Sequence, residues 1–125
     1  MFAETPAFSG FAVDDIEAAR SFYGDTLGMK VTDGPMGVLT LHLSGSTPVM
    51  IYPKPDFSPA TYTMLNFQVE DIDSTVDELT SRGVEMQRYG GEFEQDEKGI
   101  MRGNGPTIAW FTDPAGNIVA VIEQQ

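Results

Sequence analysis

Apolar residues recur along this chain with two different periods, and the alternation between them outlines the fold. From Ala7 to Val13 the pattern suits a strand. After it, Ile16, Ala19, Tyr23 and Leu27 fall at i, i+3, i+7 and i+11, which predicts one buried stripe on a helix. Asp15 stands where an N-cap belongs, and Gly28 suits a left-handed stop. The same grammar returns later. Thr63–Val69 predicts a strand, Asp71 a cap, and Ile72, Thr75, Val76 and Leu79 a stripe ending at Gly83.

Shorter strands follow each helix. In "VLTLHL" (38–43), Leu39, Leu41 and Leu43 share one face, and Val38, Thr40 and His42 share the other. "SGST" turns the chain into "PVMIYP" (48–53). In the second half, "PTIAWF" (106–111) and "NIVAVIE" (117–123) flank "TDPAG". There Asp113 opens a turn, Pro114 presets φ and Gly116 takes positive φ.

The tetrapeptide "VDDI" (13–16) recurs as "VEDI" (69–72), each preceded at the same step by a phenylalanine, Phe11 or Phe67. Two copies of one supersecondary unit are expected, each βαβββ, over 7–53 and 61–123. Together they form a single α+β domain spanning 1–125. Two stretches fall outside the pattern. The proline-rich "PKPDFSPA" (53–60) joins the halves, and the glycine-rich, charged segment 90–106 reads either as a lid or as a solvated hairpin tip.

Composition narrows the function classes. Seven basic residues stand against 19 acidic ones, a net charge of −12, which disfavours nucleic acid. The excess serves solubility or draws in a cationic small molecule. No apolar run is long enough to span a bilayer, and "MFAETPAF" does not read as a secretory signal, so a cytoplasmic location is expected. The absence of cysteine excludes disulfides, thiolate metal sites and a cysteine nucleophile.

"V-x-D-I-E-x-x-x-S-F-Y-x-x-x-L-G" (Val13 to Gly28), the repeated "VEDI" and the closing "F-T-D-P-A-G-N" resemble the vicinal oxygen chelate superfamily. That group includes glyoxalase I, extradiol dioxygenases and bleomycin-resistance proteins. The resemblance covers nearly the whole chain. It implies paired βαβββ modules, each curling into a half-barrel around a cavity, usually in a homodimer.

Metal-using members place one ligand on the first and one on the last strand of each module. By the resemblance these positions fall on Phe8, Ile51, Met64 and Ala120 in this chain. None is a credible donor for zinc, nickel, iron or manganese, which need imidazole or carboxylate here. A slip of one residue reaches Ala7, Ser9, Met50, Tyr52, Thr63, Leu65, Val119 or Val121 and does not help. No metal or other cofactor is therefore expected. An apolar floor favours an apolar or aromatic ligand body. Gly10 and Ala12 would leave room beside Phe8, and Asn66 and Gln68 would orient a polar handle.

The remaining candidates each carry two readings. His42, the only histidine, is the weak candidate for acid–base catalysis, or else a strand histidine bonded to a neighbour; Thr40 shares its face. Tyr52 and Lys54 would meet a ligand at a strand end or simply decorate it. Trp110 lines the cavity or fills the core. Lys98 and Arg102, among Glu92, Glu94, Asp96 and Glu97, close over a ligand or pair locally. Two functions follow. One is a metal-free protein that binds a small, cationic or aromatic molecule, with antibiotic sequestration as one version. The other is a glyoxalase-like or dioxygenase-like enzyme working through His42, Tyr52 or Lys54.

Overall fold

The computed structural model describes residues 1–91, 94–103 and 105–124. Residues 92, 93 and 104 of the candidate lid lie outside them. The chain divides into two compact units, Met1–Ser58 and Pro59–Gln125, each with its own sheet.

The first unit runs β1 (Gly10–Val13), α1 (Ile16–Arg20), β2 (Lys30–Asp33), β3 (Leu39–His42) and β4 (Val49–Pro53). Its four strands lie in the order β1-β4-β3-β2, with β1 parallel to β4 and the other neighbours antiparallel. Asp15 caps α1 by accepting a hydrogen bond from the Ala18 N–H at 3.1 Å. Beyond Arg20 the helix widens into a π-type turn over Ser21–Thr26, where the Leu27 N–H reaches the Phe22 carbonyl at 2.9 Å. The wider turn explains a departure from the expected stripe. Ala19 and Tyr23 are buried, but Leu27 is rotated to partial burial. Gly28, at φ 70°, ends the helical path.

One face of this sheet packs inward. Leu39 and Leu41 are buried there with Ile51, which pairs with Leu39 on one side and Phe11 on the other. The Phe11 ring meets Tyr23 from the helix at 5.8 Å between centroids. The expected alternation of β3 is therefore realised, with Thr40 half-buried and His42 exposed on the opposite face.

The second unit runs β5 (Thr63–Val69), α2 (Ile72–Ser81), β6 (Ile108–Thr112) and β7 (Ile118–Glu123), in the sheet order β5-β7-β6. Asp71 caps α2 through Ser74, and the Glu123 carboxylate accepts the Ile72 N–H at 3.0 Å, anion against helix start. Ile72, Val76 and Leu79 are buried, and Gly83 (φ 89°) stops the helix. The strand expected between α2 and β6 is reduced to an isolated bridge, Met86 to Phe111. A second bridge, Met101 to Ile108, meets the other end of β6. The "TDPAG" turn forms as read. Asp113 accepts from the N–H groups of Ala115 (3.0 Å) and Asn117 (2.8 Å), and Gly116 sits at φ 94°.

No helix among the described residues is long and apolar enough to cross a membrane.

A candidate apolar binding hollow in the first unit

The outward face of the first sheet floors a hollow of about 860 Å³. Its lining includes Thr40 on β3 and Met50 and Tyr52 on β4. Thr40 pairs directly with Met50, so their side chains project to the same side. Pro6, Ala7 and Phe8, ahead of β1, supply one wall; Pro35 and Met36 supply another. Thr47 and Pro48, from the β3–β4 turn, also line it. Phe8 is 68% exposed and Met36 94%, so large apolar groups stand in the open at its edge.

Local geometry holds this arrangement. Gly10 pairs with Met50, and a Cβ on Gly10 would sit 3.2 Å from the Met50 carbonyl oxygen and 3.5 Å from its Cε. Glycine thus keeps β1 close to β4 under the Met50 side chain. Met36 adopts φ 61°, ψ 29°, a left-handed conformation costly for a side chain of its size. Gly34 and Gly37 bracket it, and the Gly34 N–H returns to the Val38 carbonyl at 2.8 Å.

The expected floor residues are distributed unevenly. Phe8, Thr40 and Tyr52 line the hollow; Gly10 and Ala12 lie beside it on β1, opposite Met50 and Tyr52. Ile51 is a correction. It is 0% exposed on the inward face, and its neighbour Met50 takes the floor position. A strand reverses its side-chain direction at every residue, so a register counted one place off moves the side chain to the wrong face. Met50 was within that slip, but only the observed pairing selects it.

His42 is not part of the lining. Its Nε2 lies 2.8 Å from Thr32 Oγ1 on the neighbouring strand β2. Lys54 is likewise outside, paired with Asp56 at 2.5 Å, and Lys54 holds the Asp56 carboxyl below the usual range. Of the three acid–base candidates, only Tyr52 reaches the hollow.

In the second unit, Asn66 and Gln68 stand exposed on the face that carries Trp110 and Ala120. Trp110 and Ala120 are buried there in a cluster with Met101. Met64 sits where β5 shifts register against β7: Thr63 pairs with Ile118 and Leu65 with Val119, leaving Met64 over. The bulge brings Thr63 to the Trp110 side, where its hydroxyl oxygen accepts from the indole N–H at 3.2 Å. Periodicity alone could not have revealed that pairing. Tyr89 meets Trp110 edge-on at 5.3 Å, and burial pushes its phenol pKa up.

Lys98 and Arg102 reach acids on α2, more than twenty residues away in sequence; Arg102 also pairs with a near neighbour, Asp96. Arg102 pairs with Asp73 at 2.8 Å, and Lys98 with Asp77 at 3.1 Å, both acids on α2. Gln95 stitches the same segment, donating to the Gln87 and Gly99 carbonyls and accepting from the Tyr89 N–H. The segment is anchored at several points.

A divalent cation does not fit the positions implied by the resemblance. Phe8 and Ala120 offer no donor atom. Ile51 is turned inward, and the residues displaced into register, Met50 and Thr63, bring a thioether and a hydroxyl already in use. Among the described residues, no three histidine, cysteine or acidic side chains converge.

Two units, each with a helix on one sheet face and a parallel pair closing the strand order, define a paired-module α+β fold. The chain belongs to the Glyoxalase/Bleomycin resistance protein/Dioxygenase superfamily, whose family pattern matches residues 7–121. It is similar to a superfamily member from Sphaerobacter thermophilus DSM 20745, with 26% identity and TM-score 0.71 over 99% of this chain and 100% of that one. It is similar in fold to TnmS3, an antibiotic binding protein from Streptomyces sp. CB03234, with 22% identity and TM-score 0.70 over 98% of both chains. The fosfomycin resistance protein FosX from Listeria monocytogenes shares the fold at 14% identity and TM-score 0.71, over 98% of this chain and 94% of that one. No curated protein sequence matches the chain significantly.

Proposed function

We propose that this chain is a metal-independent protein that binds a small, partly aromatic molecule in the hollow of its first unit. Antibiotic sequestration is one version of that reading, supported at the level of fold by the resemblance to an antibiotic binding protein. The hollow itself carries the argument. A volume of about 860 Å³ lined by Phe8, Met36, Met50, Tyr52 and prolines falls within the range of small-molecule sites. Burying a ligand's apolar body there is worth about 25 cal/mol per Å² removed from water. Asn66 and Gln68, exposed amides of the second unit, are not among the residues that line the hollow. A homodimer and a cytoplasmic location complete the proposal. The enzymatic alternative gains no support from His42 or Lys54, whose partners are Thr32 and Asp56.

A thermal-shift screen of aromatic compounds tests the reading, because a ligand specific to the folded state raises apparent stability by mass action. Hits are expected to lose at least tenfold in affinity on Tyr52→Ala. Hits indifferent to Tyr52→Ala and Phe8→Ala, or a stoichiometric transition metal bound by untreated protein, would overturn it. Light scattering tests the dimer; a monomer at high concentration counts against it.

A further inference from the structure

We infer that the hollow of the first unit selects an uncharged aromatic ligand and rejects cations, although the chain as a whole carries a net charge of −12. The inference rests on the reading of that hollow as the binding site. It sets aside the cationic ligand that the charge balance left open in favour of a different chemical class.

The lining contains no carboxylate, ammonium, guanidinium or imidazole. Its polar side chains are three hydroxyls, on Thr40, Thr47 and Tyr52. Of the acids nearest along the chain, two are committed elsewhere. Asp33, just before the Gly34 edge of the hollow, pairs with Arg20 at 2.5 Å. Asp56, just after its Pro53 edge, pairs with Lys54 at 2.5 Å. Glu4, ahead of Pro6, is exposed to water. Other acids, Asp15, Glu17, Asp71, Asp73, Asp77 and Glu78 among them, sit on helix caps and helix faces.

A cation entering this hollow would shed hydration with no carboxylate to replace it. The faces of Phe8 and Tyr52 attract cations, but they compensate only part of that loss. An anion fares no better, since Arg20 and Lys54 are held by Asp33 and Asp56. A neutral ring system leaves little hydration behind. Its carbonyl, ether or hydroxyl groups can bond the three hydroxyls, while Met36 and Met50 adapt to its flat faces.

Three tricyclic probes of one shape separate the cases at pH 8: acridine (neutral), 9-aminoacridine (cationic) and acridine-9-carboxylate (anionic). Affinity is read by calorimetry on the full chain at two salt concentrations, with and without Phe8→Ala, an exposed residue ahead of β1 whose truncation spares the core. Acridine is expected to bind at least tenfold tighter than either ion, and to weaken with Phe8→Ala. Thr47→Asp, in the exposed β3–β4 turn, is expected to shift the ratio of cation to neutral affinity at least tenfold towards the cation. An ionic probe that binds as tightly as acridine, resists salt and weakens with Phe8→Ala would overturn the inference while leaving the site standing. If no probe responds to Phe8→Ala, the binding-site reading falls and takes the inference with it.

Discussion

The Trp110 indole N–H donates to Thr63 Oγ1 at 3.2 Å, from β6 to β5, although β7 lies between those strands. The residue of β7 paired with Trp110 is Ala120, fully buried and clustered with Trp110 and Met101. A methyl at that point leaves the indole room to reach across. The position that the superfamily resemblance associates with a metal-binding glutamate is thus occupied here by packing.

Ala120→Glu is therefore expected to destabilise the protein without creating a metal site. An added carboxylate would be buried with no cation beside it, at a cost of several kcal/mol. Urea unfolding should show the loss, and added zinc or manganese should not restore it. Thr63→Val, which removes only the hydrogen bond to Trp110, should cost about 0.5–1.5 kcal/mol.

Met36 supports an unusual pair of outcomes. Its left-handed backbone is tolerated by glycine without strain, while its side chain lines the hollow. Met36→Gly should leave stability unchanged or raise it by up to about 1 kcal/mol, the strain relieved being partly offset by the freer unfolded chain. The same variant should lower affinity for aromatic hits. Parallel urea and calorimetric titrations would show the two effects diverging.

Asp113 is 3% exposed and accepts two backbone N–H groups as well as the Asn117 amide at 3.0 Å. Asp113→Ala strips all three and should cost about 1.5–3 kcal/mol by urea unfolding, the range for hydrogen bonds to a charged group. Asp113→Asn, which retains an acceptor, should cost less.

Acid should loosen the segment that holds Lys98 and Arg102. Hydrogen bonding and attraction from Arg102 hold the Asp73 carboxyl below the usual carboxylate range, and Asp73 and Asp77 hold their cations protonated. A depressed acid contributes stability above its unfolded pKa, and that contribution is lost as pH falls through the folded value. Amide exchange or limited acid proteolysis over residues 95–101 should therefore increase below about pH 4. Because these groups are exposed, high salt should weaken the docking at neutral pH as well. Asp73→Asn should reproduce the acid effect at pH 7.

Much of this architecture is written locally. Asp15 and Asp71 cap their helices, Gly28 and Gly83 stop them, and Asp113 with Gly116 makes the final turn, all through contacts within a few residues. The buried Leu39 and Leu41 against the exposed His42 follow from alternation alone. Such features depend on neighbours in sequence, so sequence suffices to determine them, and the repeated motif carries the superfamily with them.

Tertiary structure decided the rest. Strand pairing turned Ile51 inward and gave the floor to Met50, and a bulge at Met64 brought Thr63 to Trp110. His42 found Thr32 on an adjacent strand, and Arg102 found Asp73 on α2. The hollow gathers Phe8, Met36, Thr47 and Tyr52 from separate stretches of the first unit. Each outcome depends on which distant segments meet and in what register. Periodicity specifies which side of an element is apolar, but not what comes to lie against it.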